Sequence, residues 1–140
     1  MFQIGSIFVP VTNLAKAKEW YTKHLGVKEI DSWEGGAGFY FPTGSVQLGL
    51  MEVSEPQPTD FNIGNGQKNS YYNFVVQDIH EAYDHFSQND VPTSEIHEFG
   101  GMKFFDFFDP DGNPFSVVDE DLSSPFHKEN VRKMQEKDQH

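Results

Sequence analysis

The chemically most distinctive side chains of this sequence lie in one aromatic stretch, residues 102–108, which alternation predicts to be a strand. The alternation places Phe104, Asp106 and Phe108 on one face and the core-forming phenylalanines on the other. An aspartate is unusual within a strand and is costly to bury without a partner. Asp106 could bind a cationic ligand whose rings stack on the aromatic side chains, or act as a general base with a raised pKa. It could also lie hydrated at a rim, or pair with Lys103 or a neighbouring chain.

The same alternation assigns faces in four other predicted strands. In each strand an apolar row packs towards the core, and at 45–52 this row consists of Val46, Leu48 and Leu50. The side chains that face the other way and could contact a small molecule are Phe8, Gln47, Tyr71, Asn73 and Ser116. Together with the three residues from the aromatic stretch, they form the predicted ligand-binding set.

The residue types that most often hold metals or act as nucleophiles are missing or scattered. The chain has no cysteine, which excludes disulfides, thiolate nucleophiles and Cys-ligated metal centres. Of the six histidines, His80 falls with Asp84 on the outer face of a predicted helix, and His97 and Glu98 point to opposite faces of a strand. These groups therefore predict no metal site.

The composition is that of a globular domain with a strong negative charge. The 140 residues carry a formal net charge of −12, which argues against nucleic acid or an anionic membrane as a partner. No apolar run approaches the roughly 20 residues needed to span a bilayer, and the N-terminus shows no signal-peptide pattern. We therefore expect a cytoplasmic protein. The charge serves solubility or attracts a cationic ligand.

One pattern occurs twice along the chain. An alternating apolar run, then Asn13 or Asp78 as a helix N-cap signal, then a helical pattern, begins at residue 7 and again at residue 72. A repeat of this length indicates two copies of one supersecondary unit. The second copy closes with the turn sequence Asp-Pro-Asp-Gly-Asn at residues 109–113.

The predicted elements follow this repeat. The first copy comprises a strand at 4–11, a helix at 13–24 and strands at 27–33, 37–42 and 45–52. The second comprises a strand at 69–77, a helix at 78–89 and strands at 92–97, 101–108 and 113–119. Residues 53–68 are rich in Pro, Gly and Asn and are predicted to be an irregular linker. The tail from Ser123 is predicted to be frayed, or a short helix with a thin apolar face.

The two repeats and the closing turn together resemble the vicinal oxygen chelate superfamily, over residues 4–120. This superfamily includes glyoxalase I, the bleomycin and fosfomycin resistance proteins and extradiol dioxygenases. The resemblance implies an α+β fold of two βαβββ modules whose curved sheets form a cup. It divides the chain into a single domain at 1–122 (module one 1–52, linker 53–68, module two 69–122) and a tail at 123–140. Because exposed sheet edges invite pairing, we also expect a homodimer.

In the enzymes of this superfamily a divalent metal binds in the cup, on ligands from the first and last strands of each module. The resemblance places the four ligand positions at Ser6, Gln47, Tyr71 and Ser116. None of them is an imidazole or a carboxylate, and a stable divalent site needs several such donors. The resemblance therefore implies that the metal site is absent, and we expect no cofactor.

Three functions are compatible with this sequence. The favoured one is a metal-independent, non-enzymatic protein, similar to the bleomycin-resistance branch, that binds a cationic or aromatic small molecule in the cup. The second is a metal-independent lyase or isomerase in which Asp106 or Tyr71 acts as an acid–base group. The third is a metal-dependent enzyme of the glyoxalase type, which the identities of the four ligand positions disfavour.

Overall fold

A computed structural model describes residues 1–138, so His140 of the predicted tail lies outside the described residues. The chain divides into two compact units. Unit one consists of Met1–Asn69 together with Asp109–Asn113, and unit two consists of Ser70–Phe108 together with the residues from Pro114 onward. Each unit contains the order strand, helix and three strands. The predicted α+β fold with two βαβββ modules is therefore confirmed.

Unit one contains a four-stranded sheet, here called sheet one, and one helix. Its elements are β1 (Ser6–Val11), α1 (Leu14–Leu25), β2 (Lys28–Trp33), β3 (Gly36–Tyr40) and β4 (Gln47–Glu52), in the strand order β1-β4-β3-β2. β1 and β4 are parallel, and the other neighbouring strands are antiparallel. α1 begins after Asn13, whose side chain accepts a hydrogen bond from the Lys16 N–H. It ends at Gly26, whose φ of 70° is a left-handed conformation that glycine adopts readily.

The core of unit one lies on the face of sheet one that the alternation predicts. The fully buried strand residues are Val9, Val11, Ala37, Phe39, Leu48 and Leu50. Helix α1 adds Ala17 and Tyr21 to this core. The prediction that Val46 packs with them is wrong, because β4 begins only at Gln47 and Val46 lies exposed ahead of it.

The predicted irregular linker contains a β-hairpin, so that prediction is also wrong. Its strands are β5 (Asp60–Gly64) and β6 (Gln67–Ser70), which pair with each other. The two turn residues Asn65 and Gly66 have φ values of 52° and 73°. Positive φ at both central residues is what a two-residue hairpin turn requires, and Asn-Gly is its strongest sequence signal. The Pro and Gly content of the segment obscured that signal.

Unit two contains a second four-stranded sheet, here called sheet two. Its elements are β7 (Asn73–Val75), α2 (Ile79–Gln88), β8 (His97–Phe99), β9 (Met102–Phe108) and β10 (Pro114–Glu120), in the strand order β7-β10-β9-β8. The core is aromatic, since Phe105, Phe107 and Phe115 are fully buried. Phe86 of α2 stacks on Phe107 with ring centroids 4.5 Å apart.

In both units the first N–H of the helix donates a hydrogen bond to a carboxylate of the neighbouring sheet. In unit one the Leu14 N–H donates a 2.9 Å hydrogen bond to Glu52 Oε2. In unit two the Ile79 N–H donates a 3.0 Å hydrogen bond to Asp119 Oδ2. In both, a carboxylate at the end of the last strand satisfies a free N–H at a helix N-terminus, where the helix dipole favours negative charge. Glu52 and Asp119 therefore occupy equivalent places, and the two sheets can be compared residue by residue.

Several elements after the linker differ from their predicted extent. The strand predicted at 69–77 is reduced to β7. The strand predicted at 92–97 is replaced by a single bridge between Thr93 and Phe107, followed by β8. The tail forms a helix, α3 (Lys128–Asp138), which begins later than Ser123 and buries no side chain. Within residues 1–138, no helix combines the length and apolar character needed to cross a bilayer.

Candidate functional site

One face of sheet one lies opposite the buried core row and is here called the open face. The strand register places four residues in one row across it. Phe8 on β1 lies opposite Gly49 on β4. Gly49 lies opposite Gly38 on β3, and Gly38 lies opposite Asp31 on β2. Directly opposite residues point to the same face of a sheet, so this row has a ring at one end, two glycines in the middle and a carboxylate at the other end.

The glycines of the open face make room for two aromatic rings. A Cβ atom at Gly49 would lie 2.5 Å from Cδ1 of Phe8, and a Cβ atom at Gly36 would lie 2.6 Å from Cε2 of Trp33. Carbon atoms do not pack this closely, so a larger residue at either position would displace the ring. At Gly38 the nearest such atom is Cζ3 of Trp33 at 3.9 Å. The backbone at Gly38 is therefore left uncovered.

A cavity of about 200 Å³ lies on the open face. Its lining consists of Ser6, Phe8, Ile30, Asp31, Trp33, Gly38, Gln47, Leu48 and Gly49. Two of the predicted ligand-binding residues, Phe8 and Gln47, are thus brought together in unit one. The side chains of Phe8 and Trp33 leave 59% and 49% of their residue surface exposed. Exposed rings beside a cavity are typical of a ligand-binding surface.

Asp31 gives this cavity a negative charge. Its Oδ1 accepts a 2.9 Å hydrogen bond from the Ser32 N–H. The ion pairs found between residues 1 and 138 join Lys18 to Glu29 and Arg132 to two glutamates of α3. None of them involves Asp31, so a cationic group that entered the cavity would meet a carboxylate with no cationic partner.

Sequence reasoning missed Asp31 and Trp33 because β2 carries no apolar alternation, and all six of its residues are exposed. The glycines did carry a signal. Gly36 and Gly38 flank the buried Ala37, and a glycine within a strand often marks the close approach of another group. That pattern could have directed attention to the open face.

In unit two, three of the predicted site residues form a row across sheet two. Asn73 on β7 lies opposite Ser116 on β10, and Ser116 lies opposite Asp106 on β9. The Ser116 hydroxyl donates a 2.8 Å hydrogen bond to Asp106 Oδ1, and the Asp106 N–H donates a 2.8 Å hydrogen bond to Ser94 Oγ. Among the residues that the structure describes, Lys103 forms no ion pair with Asp106. The half-buried carboxylate is thus held by hydroxyl and backbone groups.

The aromatic residues predicted to accompany Asp106 lie on either side of it along β9. Phe104 and Phe108 are half-buried, whereas the intervening Phe105 and Phe107 are completely buried, as the alternation predicts. Tyr71 precedes β7 and is exposed. Unit two therefore brings five of its six predicted site residues to one face of sheet two, with Tyr71 just outside the strands.

The resemblance implies a metal-ligand position at Ser116, and the strand register locates the counterpart of Ser116 in sheet one. Glu52 and Asp119 are equivalent, and the same step back along each strand leads to Gly49 in sheet one and to Ser116 in sheet two. Gly49, rather than Gln47, is therefore the counterpart of Ser116. The register thus differs from the resemblance, which implies Gln47 as the β4 position.

The residues at these positions do not fit a divalent metal. Gly49 has no ligand atom, and the ring of Phe8 fills the space in which a side chain would stand. Ser116 already donates its hydroxyl hydrogen to Asp106. No three His, Cys, Asp or Glu side chains within residues 1–138 lie close enough together to hold a metal ion. A glycine and a neutral serine hydroxyl do not supply the imidazole or carboxylate ligands that zinc, nickel or magnesium require.

The Asp-Pro-Asp-Gly-Asn turn has a structural role in unit one. Asp109 is buried, and its carboxylate accepts a 2.6 Å hydrogen bond from the Tyr21 hydroxyl. It also accepts hydrogen bonds from the N–H of Asp111 and from the N–H and side-chain amide of Asn113. Burial raises the pKa of the Asp109 carboxyl, and the hydrogen bonds from Tyr21 and Asn113 oppose that rise. The Asn113 amide also donates to the carbonyl oxygen of Pro10, which ties the turn to β1.

Comparison with known proteins agrees with this architecture. The model of the Glyoxalase/Bleomycin resistance protein/Dioxygenase superfamily matches residues 3–117. No curated protein sequence matches the chain.

Solved structures with the same fold include three from different bacteria. TnmS3, an antibiotic binding protein from Streptomyces sp. CB03234, has a TM-score of 0.69 at 15% identity, over 86% of this chain and 98% of that chain. A member of the superfamily from Sphaerobacter thermophilus DSM 20745 has a TM-score of 0.68 at 21% identity, over 86% and 98%. The fosfomycin resistance protein FosX from Listeria monocytogenes has a TM-score of 0.66 at 17% identity, over 87% and 96%.

The family match covers both repeats and ends within β10, and both units show the strand and helix order that the repeats predict. The chain therefore belongs to the Glyoxalase/Bleomycin resistance protein/Dioxygenase superfamily.

Proposed function

We propose that this protein binds a flat cationic or aromatic small molecule, and that it does so without a divalent metal. The observation that carries the proposal is the packing of Phe8 against Gly49. It puts an aromatic surface at the place where a metal-dependent relative would need a ligand side chain. The position that is unsuited to a metal is thereby suited to stacking with a ring.

The charge of the protein supports a cationic ligand. The formal net charge is −12. Each unit contributes one carboxylate to the face that bears its candidate residues, Asp31 in unit one and Asp106 in unit two. Within the described chain neither is paired with Lys, Arg or His. Carboxylates and aromatic faces both attract cations, so the two kinds of side chain favour the same ligand.

The names of two structural relatives support a small-molecule ligand. TnmS3 is called an antibiotic binding protein, and FosX is called a fosfomycin resistance protein. Their likeness to this chain is one of fold, so the chemistry of the ligand is argued from this chain's own residues.

The enzymatic alternatives have less support. The chemistry of a glyoxalase-type lyase or isomerase would require a Lewis-acid metal or a positioned acid–base group. The ligand positions do not suit a metal, and the Asp106 carboxylate accepts a hydrogen bond from Ser116. A binding function without a covalent step uses the same residues and requires neither.

We further propose that residues 1–122 act as one domain and that the chain forms a homodimer. Edge strands invite pairing, and Val75 on the edge strand β7 is an exposed apolar residue. Sedimentation equilibrium should give twice the chain mass of 16.0 kDa. A mass of one chain at micromolar concentration would contradict the dimer.

The binding function can be tested with proflavine, a fluorescent planar cation at neutral pH. Protein treated with EDTA should bind proflavine saturably, and added zinc or magnesium should leave the affinity unchanged. An unrelated acidic protein of similar size and net charge serves as a control for non-specific binding of the cation to a negatively charged surface. A titration without saturation, or binding that appears only with added metal, would contradict the proposal.

A further inference from the structure

Strand β2 contains a β-bulge that decides which of its side chains reach the open face. The pairing of β2 with β3 shifts by one residue between Glu29 and Asp31, so that Asp31 lies opposite Gly38. In an unbroken register Ile30 would lie opposite Gly38, and Asp31 would lie opposite Ala37, which is fully buried. The extra residue therefore moves Asp31 from the core side of the sheet to the open face.

The same shift sets the position of Trp33. Trp33 lies opposite Gly36, and its ring covers that glycine. A bulge disrupts regular pairing and is most frequent where it re-aims a side chain, at a sheet edge or beside a site. Strand glycines also weaken a sheet, yet Gly36, Gly38 and Gly49 all lie on this face. The bulge and the strand glycines both reduce the stability of the sheet, and both shape the same cavity.

The row across the open face has the dimensions of a flat ligand. Neighbouring strands are about 4.8 Å apart, so Gly49, which the Phe8 ring covers, and Asp31 are separated by about 10 Å across the sheet. The Phe8 ring covers Gly49, so the free backbone between that ring and Asp31 is at Gly38. A fused aromatic ring system can lie over Gly38 with one edge towards the Phe8 ring and the other towards Asp31.

We propose that Asp31 recognises the cationic group of the ligand, while Gly38 supports its planar rings between Phe8 and Trp33. The assignment rests on the proposed function and specifies the ligand class, a fused aromatic ring bearing a protonated amine or amidine. One Asp31 oxygen accepts the Ser32 N–H, and the carboxylate has no cationic partner within residues 1–138. A charged group of the ligand supplies that partner.

Two probes and two matched variants test the role of Asp31. Proflavine is the planar cation, and acridine is its neutral analogue at pH 7.5. Asp31→Asn removes the carboxylate charge, and Asp84→Asn removes the same charge from an exposed position on α2. We expect Asp31→Asn to weaken proflavine binding about tenfold or more, the effect of losing one charged hydrogen-bonding contact. Acridine binding should be unchanged in this variant, and Asp84→Asn should bind both probes as the wild type does.

A second variant tests whether the rings of the ligand lie on the backbone of Gly38. A Cβ at Gly38 would approach only Trp33, at 3.9 Å, so Gly38→Ala should fold normally. Its methyl group would lift a planar ring off the backbone and weaken the binding of both probes. Gly5→Ala is the matched control, because a Cβ at that position meets no atom within 4 Å.

The outcomes separate this inference from the proposed function. If the wild type binds proflavine and Asp31→Asn retains that affinity, or loses no more than Asp84→Asn does, then Asp31 is not the cation-recognising group and only the inference is overturned. Unchanged probe binding in Gly38→Ala would show that the rings of the ligand do not lie on Gly38, and would overturn that part of the inference. If the wild type binds neither probe, the proposed function is contradicted and the inference is overturned with it.

Discussion

The ring of Phe8 lies against the backbone of Gly49 on the neighbouring strand, and it occupies the space that a side chain at position 49 would need. Gly49 is the counterpart in sheet one of Ser116 in sheet two. One packing contact therefore accounts for two properties of this chain. It fills the space above Gly49, which leaves no room for a side chain that could hold a metal, and it presents an aromatic surface beside a cavity.

Replacing Gly49 by alanine should destabilise the protein through this contact. The new Cβ would lie 2.5 Å from the Phe8 ring, which must then move. We expect a loss of about 1–3 kcal/mol in the free energy of unfolding, the usual cost of overpacking. Urea denaturation measures it. In a Phe8→Ala background the Gly49→Ala substitution should cost less, and an equal cost in both backgrounds would show that the ring is not the cause.

Replacing Tyr21 by phenylalanine should destabilise the protein more at neutral than at acid pH. Tyr21 donates to the buried Asp109 carboxylate at 2.6 Å, and a hydrogen bond to a charged group contributes about 1.5–3 kcal/mol, against about 1 kcal/mol for a neutral pair. Burial raises the pKa of Asp109 above 3.8, so its contribution to stability is greatest below pH 3.8 and is lost as the pH rises through the raised pKa. Loss of the Tyr21 bond raises that pKa further.

Unfolding of Tyr21→Phe at pH 3 and pH 7.5 therefore gives a directional test. The stability difference from the wild type should be larger at pH 7.5 than at pH 3, because a hydroxyl donates a stronger hydrogen bond to a carboxylate than to a carboxylic acid. Tyr40→Phe, a change at an exposed tyrosine of the same unit, is the matched control and should have little effect at either pH. A loss that is equal at both pH values would mean that the hydroxyl does not act through the Asp109 carboxylate.

Replacing Asp106 by asparagine should weaken the binding of planar cations without unfolding the protein. The amide oxygen of asparagine can still accept the Ser116 hydroxyl, so the local hydrogen bond survives. For a cation bound at the face of sheet two that bears Asp106, a contact at about 4 Å in water contributes about 1 kcal/mol, so the loss of this charge should reduce proflavine affinity there about three- to fivefold and should flatten its dependence on salt. Titrations at two salt concentrations measure both effects. Unchanged affinity and salt dependence would remove Asp106 from the predicted ligand-binding set.

Much of the fold could be predicted because its signals are local and repeated. Asn13 and Asp78 cap the two helices as their positions indicated, and strict alternation assigned the buried rows of β1, β4, β9 and β10. Predictions failed where the structure of a residue depends on more than the local alternation of apolar and polar residues. Val46 fits the apolar alternation of β4 but lies just before the first residue of the strand. The hairpin turn at Asn65-Gly66 lies within a segment whose composition resembles a loop.

The candidate site was only partly predictable for a related reason. Phe8, Gln47, Asp106 and Ser116 follow from alternation, which is a property of each strand by itself. Asp31 reaches the open face only because of a bulge, and a bulge depends on the pairing of two strands. The equivalence of Gly49 and Ser116 likewise depends on strand register. A single sequence contains no direct record of register, so these assignments required the three-dimensional structure.

The central claim, that the protein binds its ligand without a divalent metal, is tested most directly by elemental analysis of protein purified without a metal-binding tag. The same protein is then heated with zinc, nickel, manganese or magnesium. We predict no metal at stoichiometric occupancy and no rise in melting temperature with any of the four ions. About one metal ion per chain, together with a raised melting temperature, would contradict the account and would favour a metal-dependent lyase or transferase.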